Sequence, residues 1–269
     1  MKNSRPTLTI IGAGKVGKVF GRQFHRHQVF TVSQVLNRSL PSAQAAVDFI
    51  GAGQAIVDAT QLRPADIFML TIPDDQIYDC GRQLIERGLI SQQTVVFHCS
   101  GALCASELGL TTGAASLHPV RSFAHPLHVA DHFAETICSI EGDLAATTLL
   151  TQATERIGAK IVNIPAASKT LYHAASVFAS NYLVSLMDAA LNTYAAAGIP
   201  ADIAKQMAEP IARETLDNVF RLGTKQALTG PIARGDEHTV QRHQTALSAW
   251  DSGHAALYAA LAQATRKLK

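Results

Sequence analysis

Cysteines are few in this chain, and none stands at a spacing typical of a disulfide framework or a zinc site. The four cysteines are Cys80, Cys99, Cys104 and Cys138, and no Cys-x-x-Cys pair occurs. This excludes the small disulfide-rich secreted class, so we expect reduced thiols. His125, His128 and His132 lie near one another, but no cysteine or acidic triad accompanies them, so we expect no bound metal.

Charged residues are also scarce: they make up 16% of the 269 residues, and the formal net charge is +2. The one concentrated basic run is the tail 266–269, so we expect neither nucleic acid nor a membrane as a main partner. No apolar signal region precedes the first predicted strand, and a hydrophobic content of 47% is enough for a sizeable core. We expect a soluble, cytoplasmic protein.

A long uninterrupted apolar run is missing as well. The most apolar stretch, residues 173–198, is interrupted by polar residues, among them Ser176, Ser180, Asn181, Asp188 and Asn192. Polar and charged side chains are costly inside a bilayer, so we interpret this stretch as a buried helix of a soluble protein. Its small alanine and serine side chains allow close helix packing, from which we predict a homodimer.

Short apolar segments alternate with helical patterns over the first 165 residues. Strands are predicted at 7–11, 30–36, 66–72, 94–98, 114–117, 136–140 and 160–164, and helices at 15–27, from 41 onward and at 144–157. This alternation predicts an α/β fold with a doubly wound parallel sheet. After residue 165 the periodicity is helical. We therefore predict a sheet domain at 1–165 and an all-α domain at 166–269.

The motif GAGKVG follows the first predicted strand and opens the first predicted helix. In that context Gly12 permits a tight turn, Gly14 lets a pyrophosphate approach the backbone, and Gly17 lets helix and strand pack closely. The helix start at Lys15 and Val16 supplies free N–H groups for phosphates. The motif predicts a dinucleotide-binding Rossmann domain; the alternative is a glycine turn without a ligand.

Asn37, Arg38 and Ser39 follow the second predicted strand, where sites that prefer NAD place a carboxylate for the ribose 2′-hydroxyl. A carboxylate would repel a 2′-phosphate, whereas Arg38 can pair with it bidentately and Ser39 can donate to it. We therefore predict NADP as the cofactor. The alternative is that Arg38 is a solvated loop charge.

Two further segments end predicted strands at the same sheet edge. Ile72 and Pro73 are expected to skirt the cofactor, and Ser100 and Gly101 to lie near the nicotinamide. We interpret Asp74 and its acidic neighbour as a helix N-cap and a first-turn acid rather than as catalytic groups.

A His-Pro pair ends another strand, and it points the imidazole of His118 toward the edge where strand ends converge. On the first C-terminal helix, at about 100° per residue, Lys169, His173 and two serines fall within about 60° of one another. This polar stripe faces either solvent or a site. Asn181 lies about 120° from Lys169, and a buried asparagine must be hydrogen-bonded.

The segment TGPIARGD interrupts the helical pattern between residues 229 and 236. We interpret it as a helix C-cap followed by a helix N-cap at Asp236. Arg234 is a candidate partner for a substrate carboxylate.

These motifs resemble a bacterial family in which a Rossmann-like domain is followed by a DUF2520 domain, within the 6-phosphogluconate dehydrogenase C-terminal-like superfamily. The matching motifs cover nearly the full length: IGAGKVG, LNRS, TIPDD, HCSGAL, LHPVRSF, YHAASVFASNYLVSL and LTGPIARGD followed by HQTAL. The superfamily includes pyrroline-5-carboxylate, ketopantoate and β-hydroxyacid dehydrogenases. The resemblance implies a helical domain that supplies catalytic residues and often dimerises.

One position departs from the pattern of those relatives. The β-hydroxyacid enzymes use Lys-x-x-x-Asn on the first C-terminal helix, whereas here Lys169 is followed four residues later by His173, so their mechanism does not transfer directly. Asn181 lies where the pyrroline-carboxylate reductases carry a substrate turn. Arg234 lies where ketopantoate reductases carry polar substrate contacts.

The expected function is hydride transfer between NADP(H) and a small carbonyl or imine compound that carries a carboxylate. His118, Lys169, His173 and Asn181 form the predicted pocket, and either Lys169 or His173 is the general acid. Asn181 would orient the substrate and Arg234 would bind its carboxylate. Two alternatives stay open: a ketopantoate-reductase-like enzyme, and a non-catalytic NADP-binding sensor or regulatory protein.

Overall fold

The computed structural model describes residues 5–269. Its strands form one eight-stranded sheet. The strands are β1 (Thr7–Ile11), β2 (Thr31–Leu36), β3 (Gln54–Ile56), β4 (Ile67–Leu70), β5 (Val95–His98), β6 (Ala114–Pro119), β7 (Ile137–Gly142) and β8 (Lys160–Asn163). Their order is β3-β2-β1-β4-β5-β6-β7-β8, and only the β6/β7 pair is antiparallel. The predicted doubly wound α/β fold is confirmed.

The α-helices surround this sheet and then fill the C-terminal region. They are α1 (Lys15–Arg26), α2 (Leu40–Ile50), α3 (Ile77–Glu86), α4 (Pro126–Asp131), α5 (Leu144–Arg156), α6 (Lys169–Ala179), α7 (Asn181–Ala196), α8 (Ala201–Leu222), α9 (Thr224–Ala227), α10 (Gly230–Arg234), α11 (Glu237–Trp250) and α12 (Ser252–Arg266). The strand and helix alternation that the sequence predicts is therefore present up to β8.

The central strands are buried on both faces, which is why they read as continuous apolar runs rather than as alternating ones. All four residues of β4 have 0% exposure. Ile10 of β1 packs with Phe20 and Phe24 of α1 in one core cluster, while Phe68 belongs to a second cluster on the opposite face. Helices cover both faces of this part of the sheet.

The carboxyl ends of four neighbouring parallel strands meet at one edge. Ile11 pairs with Leu70, Leu70 with His98, and His98 with Ser116, so these residues form one row across the sheet. Residues that follow this row in each strand share the same edge. Ligands of open α/β sheets bind at such an edge.

Two features of the sheet differ from the prediction. The short β3 was not predicted, because three residues are too few for a periodic signal. β7 is antiparallel: Cys138 pairs with Pro119, so the chain returns at the edge where β6 ends. The connection between them holds only the short helix α4, so no crossover carries the chain back for a parallel pairing.

The chain divides into two compact units, Met1–Phe178 and Ala179–Lys269. The predicted division falls at 165/166, so α6 belongs to the first compact unit although the prediction assigns it to the helical domain. The single helix predicted over residues 173–198 is wrong, because Ser180 has φ −125° and ψ −69° and separates α6 from α7. Serine and asparagine, adjacent here, favour such interruptions because their side chains compete for backbone hydrogen bonds.

The second unit consists of helices α7–α12. Residues 166–196 are long and apolar enough to cross a membrane by length and composition alone, and none of the apolar window is buried inside the structure. No residue of α7 is buried, and Val184 is 70% exposed. The expectation that this stretch is a buried helix is therefore wrong for α7 in the single chain, since none of its residues is buried.

Candidate functional site

A cleft of about 670 Å³ opens at the carboxyl ends of β1, β2 and β4, within the first unit. This volume lies in the range of small-molecule and cofactor sites. The predicted cofactor residues that line it are Gly12, Gly14, Asn37, Arg38, Ser39, Ile72 and Pro73. The other wall comes from Gln76 and from α3, which contributes Asp79, Cys80 and Gln83.

Two glycines of the GAGKVG motif are required by close packing. Gly12 has φ +83°, and a Cβ there would lie 2.5 Å from Cγ2 of Ile72. A Cβ on Gly17 would overlap Oγ1 of Thr71, which donates a hydrogen bond to Gly12 O at 2.5 Å. The turn thus locks the start of α1 against the end of β4.

Gly14 has a different environment from its two neighbours in the motif. A Cβ there would meet only the carbonyl oxygen of Gly12, at 4.0 Å, so the fold itself does not require glycine at this position. Gly14 lines the cleft, and Lys15 and Val16 form the first turn of α1 directly after it. The free N–H groups of that turn suit a pyrophosphate.

The end of β2 leaves its polar groups at the cleft largely uncommitted. Asn37 Nδ2 donates to the carbonyl and hydroxyl oxygens of Ser42, both at 3.0 Å. Arg38 is exposed and forms no ion pair or side-chain hydrogen bond with any described residue. Ser39 stands at the N-cap position of α2 without a side-chain capping bond. A cation and a hydroxyl are thus free to meet an anion here.

The loop after β5 is held by its own polar side chains. Ser100 Oγ donates to Asp74 Oδ2 at 2.8 Å and accepts from the N–H groups of residues 102 and 103. Its hydroxyl is therefore occupied in shaping the loop. Asp74 opens a short 3₁₀ turn as a first-turn acid, as predicted, but Pro73 rather than Asp74 takes the N-cap position.

Gly101 lies against two imidazole rings. A Cβ on Gly101 would lie 2.9 Å from Nε2 of His118 and would overlap Nδ1 of His173. The two ring centroids are 5.7 Å apart, at an interplanar angle of 82°. Only glycine allows both imidazoles to approach this loop. We call His118, His173, Tyr172 and Gly101 the histidine corner.

His118 is the second residue after the row of strand ends, and its side chain is largely buried. Nδ1 and the hydroxyl oxygen of Tyr172 are 2.8 Å apart. Burial lowers the pKa of His118 to about 4, and the nearby His173 and Lys169 act in the same direction. The imidazole is therefore neutral at neutral pH.

Lys169 is buried beneath the loop rather than exposed on a polar stripe, with 1% exposure. Its Nζ donates to Ser116 Oγ and lies 3.8 Å from Glu141 Oε1. Ser116 Oγ donates in turn to the carbonyl of Ser100 at 3.3 Å. Burial lowers the pKa of Lys169, and the Glu141 carboxylate opposes that shift. The side chain of Lys169 thus connects α6 to strands β6 and β7 of the sheet.

His173 follows Lys169 by one helical turn on α6. It is half-buried, and its Nδ1 is buried without a hydrogen-bond partner among residues 5–269. No described protein group therefore competes for this nitrogen.

Three of the five predicted catalytic residues thus come together: His118, Lys169 and His173. The other two lie in the second unit, where exposed Asn181 begins α7 and exposed Arg234 ends α10. The N-cap predicted at Asp236 is confirmed, since its carboxylate accepts from the N–H of Thr239 at 3.0 Å.

Sequence reasoning missed three residues of this region: Ser116, Glu141 and Tyr172. A signal for Ser116 was present, because it stands two positions before His118 on the same strand and so shares its sheet face. Nothing in the spacing pointed to Glu141, which is brought in by the antiparallel β7. Within the described residues, no group of three or more potential metal ligands comes together.

Comparison with known proteins identifies both parts of the chain. Residues 1–119 match the family model of a Rossmann-like domain, and residues 136–265 match that of DUF2520, a domain of unknown function. The resemblance inferred from the motifs is therefore confirmed. No curated protein matches.

Solved structures share the fold over nearly the whole chain. Protein TM1727 from Thermotoga maritima is 25% identical, with a TM-score of 0.75 and coverage of 97% of both chains. A candidate NADP oxidoreductase, BF3122 from Bacteroides fragilis, is 19% identical, with a TM-score of 0.78 over 98% of both chains. The NADP-bound pyrroline carboxylate reductase of Plasmodium falciparum is 12% identical, with a TM-score of 0.59 over 100% of this chain and 99% of that one.

Proposed function

We propose, from the premise that this chain joins a Rossmann-like domain to a DUF2520 domain, that it transfers a hydride between NADP(H) and a small carbonyl or imine acid. One observation carries the proposal. The glycine turn of the cleft and the histidine corner lie at the same carboxyl edge of the parallel sheet. A dinucleotide with its pyrophosphate at Gly14 runs along this edge, so its nicotinamide is placed toward Gly101.

The choice of NADP rests on the end of β2. The side chains of Arg38 and Ser39 line the cleft without a partner among residues 5–269, and β2 ends without a carboxylate. A guanidinium fork matches the geometry of a phosphate. The 2′-phosphate of NADP would find a partner there, whereas the 2′-hydroxyl of NAD would lack its usual acceptor.

His173 is the better proton donor of the two candidates. Lys169 is spent on Ser116 and Glu141 beneath the loop, and burial disfavours its charged form. His173 presents its ring to the loop at Gly101 with no competing hydrogen bond at Nδ1. The same geometry gives neutral His118 a hydrogen-bonding role toward the reacting atom rather than an acid role. The assignment of Asn181 and Arg234 to the substrate stays a prediction.

The test is NADPH oxidation followed by absorbance against a panel of 2-oxo acids, including ketopantoate, and cyclic imino acids. Turnover by the natural chain and loss of turnover in His173→Ala support the proposal. Tight NADPH binding without turnover across the panel would favour a sensor or regulatory protein instead. A preference for ketopantoate would select that narrower enzyme class.

We also propose that the second unit forms a homodimer. An apolar groove of about 630 Å³ lies between α7, α11 and α12, with Leu186, Trp250 and Leu261 among its walls. The groove adjoins the exposed α7, where Val184 is 70% exposed, and contiguous exposed apolar surface is typical of protein–protein interfaces. Light scattering at micromolar concentration should give twice the mass of 28.7 kDa. A monomer, or association with detergent or vesicles only, would contradict this assembly.

A further inference from the structure

We propose that Tyr172 is a positioning residue, whose hydroxyl donates to Nδ1 of His118 and thereby keeps the imidazole proton on Nε2, beside Gly101. The inference rests on the proposed function for its kinetic consequence. Its structural content, the tautomer of His118, can be measured without any turnover.

Tyr172 reaches His118 because α6 is docked on the sheet at two successive points. One is Lys169 on Ser116, and the other is Tyr172 on His118. The two strand residues are two positions apart and therefore share one face of β6. The rings of Tyr172 and His118 meet edge to face, with centroids 5.8 Å apart at 84°. The helix cannot shift without breaking both contacts.

The direction of the hydrogen bond follows from the chemistry of the two groups. A phenol O–H is a stronger donor than a neutral imidazole N–H, and the unprotonated imidazole nitrogen is a stronger acceptor than a phenol oxygen. Burial raises the pKa of Tyr172, against a smaller opposite effect of hydrogen bonds from Ser139 and Ser176, and burial lowers the pKa of His118. Both groups are therefore in their neutral forms. A neutral imidazole has one proton, and accepting at Nδ1 leaves that proton on Nε2.

This tautomer decides what the histidine corner offers to a ligand. Nε2 is the atom of His118 that lies beside Gly101. With its proton there, His118 can donate to a carbonyl oxygen as negative charge develops on it. In the other tautomer Nε2 would present a lone pair and would repel that oxygen. Tyr172 thus determines whether Nε2 of His118 is a hydrogen-bond donor or an acceptor, and it acts through His118 rather than on the substrate.

Nitrogen NMR of the ¹⁵N-histidine-labelled protein tests the tautomer directly. We expect the His118 signals of the Nε2–H form in the natural chain, and a mixture of tautomers in Tyr172→Phe. An Nδ1–H tautomer in the natural chain, or an unchanged tautomer in the variant, would overturn the proposal. His118→Asn identifies the signals by their disappearance.

Tyr258→Phe is the matched control, because Tyr258 makes the same kind of contact with His243, at 2.9 Å, in the second unit. It should alter the His243 signals and leave those of His118 unchanged. With a substrate from the panel, Tyr172→Phe should lower kcat about tenfold, as the loss of one hydrogen bond allows, with KM and Tm nearly unchanged. An unchanged kcat beside an altered tautomer overturns the positioning role. If the natural chain turns over no substrate, the proposed function fails while the NMR result still decides the tautomer.

Discussion

The cofactor cleft and the histidine corner lie along one sheet edge, yet they are built in different ways. The cleft is made by a local motif: Gly12, Gly14 and Gly17 act within six residues, and their surroundings are strand ends. The histidine corner joins side chains from β6, α6 and the loop after β5, which lie up to about 70 residues apart in the chain. The first depends on backbone shape and the second on side-chain contacts.

Substitutions in the two regions should therefore have different effects. A substitution in the cleft should remove cofactor binding while the reacting groups stay in place. A substitution in the histidine corner should remove the chemistry while the cofactor still binds. Loss of cofactor binding and loss of turnover should therefore be separable by substitution.

Gly14→Val should abolish NADPH binding and leave the fold intact. The position has no packed neighbour that a side chain would displace, but the branched side chain would occupy the space that the pyrophosphate needs. Calorimetry should detect no binding, while Tm stays within a few degrees of that of the natural chain. Normal NADPH affinity in this variant would place the cofactor elsewhere. Gly17→Val is the contrasting control, since it should unfold the turn through its clash with Thr71.

His173→Ala should lower turnover by roughly 10²–10⁴-fold, as expected for the loss of a general acid, with NADPH affinity almost unchanged. Nδ1 of His173 has no hydrogen-bond partner among the described residues. Removing the ring therefore breaks no hydrogen bond at that atom, and Tm should change little. Early melting with normal turnover of the folded fraction would make His173 a structural residue. That result would break the distinction between the two regions.

Acid should destabilise the fold through the buried imidazole of His118. The pKa of His118 falls from 6.5 unfolded to about 4 folded, so the unfolded state binds the proton more readily between these values. Stability should therefore drop as pH falls from 6.5 to 4, by about 3 kcal/mol from this group. Buried His98, whose pKa is also lowered to about 4, adds a similar loss. Urea titrations of His118→Asn should show a shallower pH dependence; an equal slope would contradict the assignment.

Arg38→Asp should reverse the cofactor preference, the smallest of these effects. We expect the natural chain to bind NADPH at least about tenfold tighter than NADH, because a lost charged hydrogen-bond pair costs about 1.5–3 kcal/mol. The variant should prefer NADH, and turnover with saturating NADH should persist because the histidine corner is unchanged. Equal affinities of the natural chain for both cofactors would show that Arg38 does not bind the 2′-phosphate.

What could be predicted from the sequence follows the same division. Strands β1, β4 and β5 are buried and read as continuous apolar runs, so they were predicted within two residues at either end. The three-residue β3 has no periodicity to detect. The interruption at Ser180 was missed because the apolar periodicity continues through it, and only the backbone shows that α6 ends there.

Next to the histidine corner, Lys169 was predicted as a site residue, but its buried position was not. Lys169 stands in a polar stripe by helical geometry, yet the face it occupies is turned toward the sheet and buried by Ser116 and Glu141. Helical periodicity gives the angle between residues and does not say which angle faces the core. Tyr172 was missed because a tyrosine between polar residues carries no signal until His118 is found beside it.

The central claim is that a cofactor bound in the cleft extends to the histidine corner. Histidine-detected NMR tests it, with NADP⁺ compared against adenosine 2′,5′-bisphosphate, which can fill only the adenosine end. We expect NADP⁺ to shift the imidazole signals of His118 and His173, and the bisphosphate to bind and leave both unchanged. If NADP⁺ binds and moves neither signal, or if both ligands move them equally, the cleft and the histidine corner do not form one reaction site.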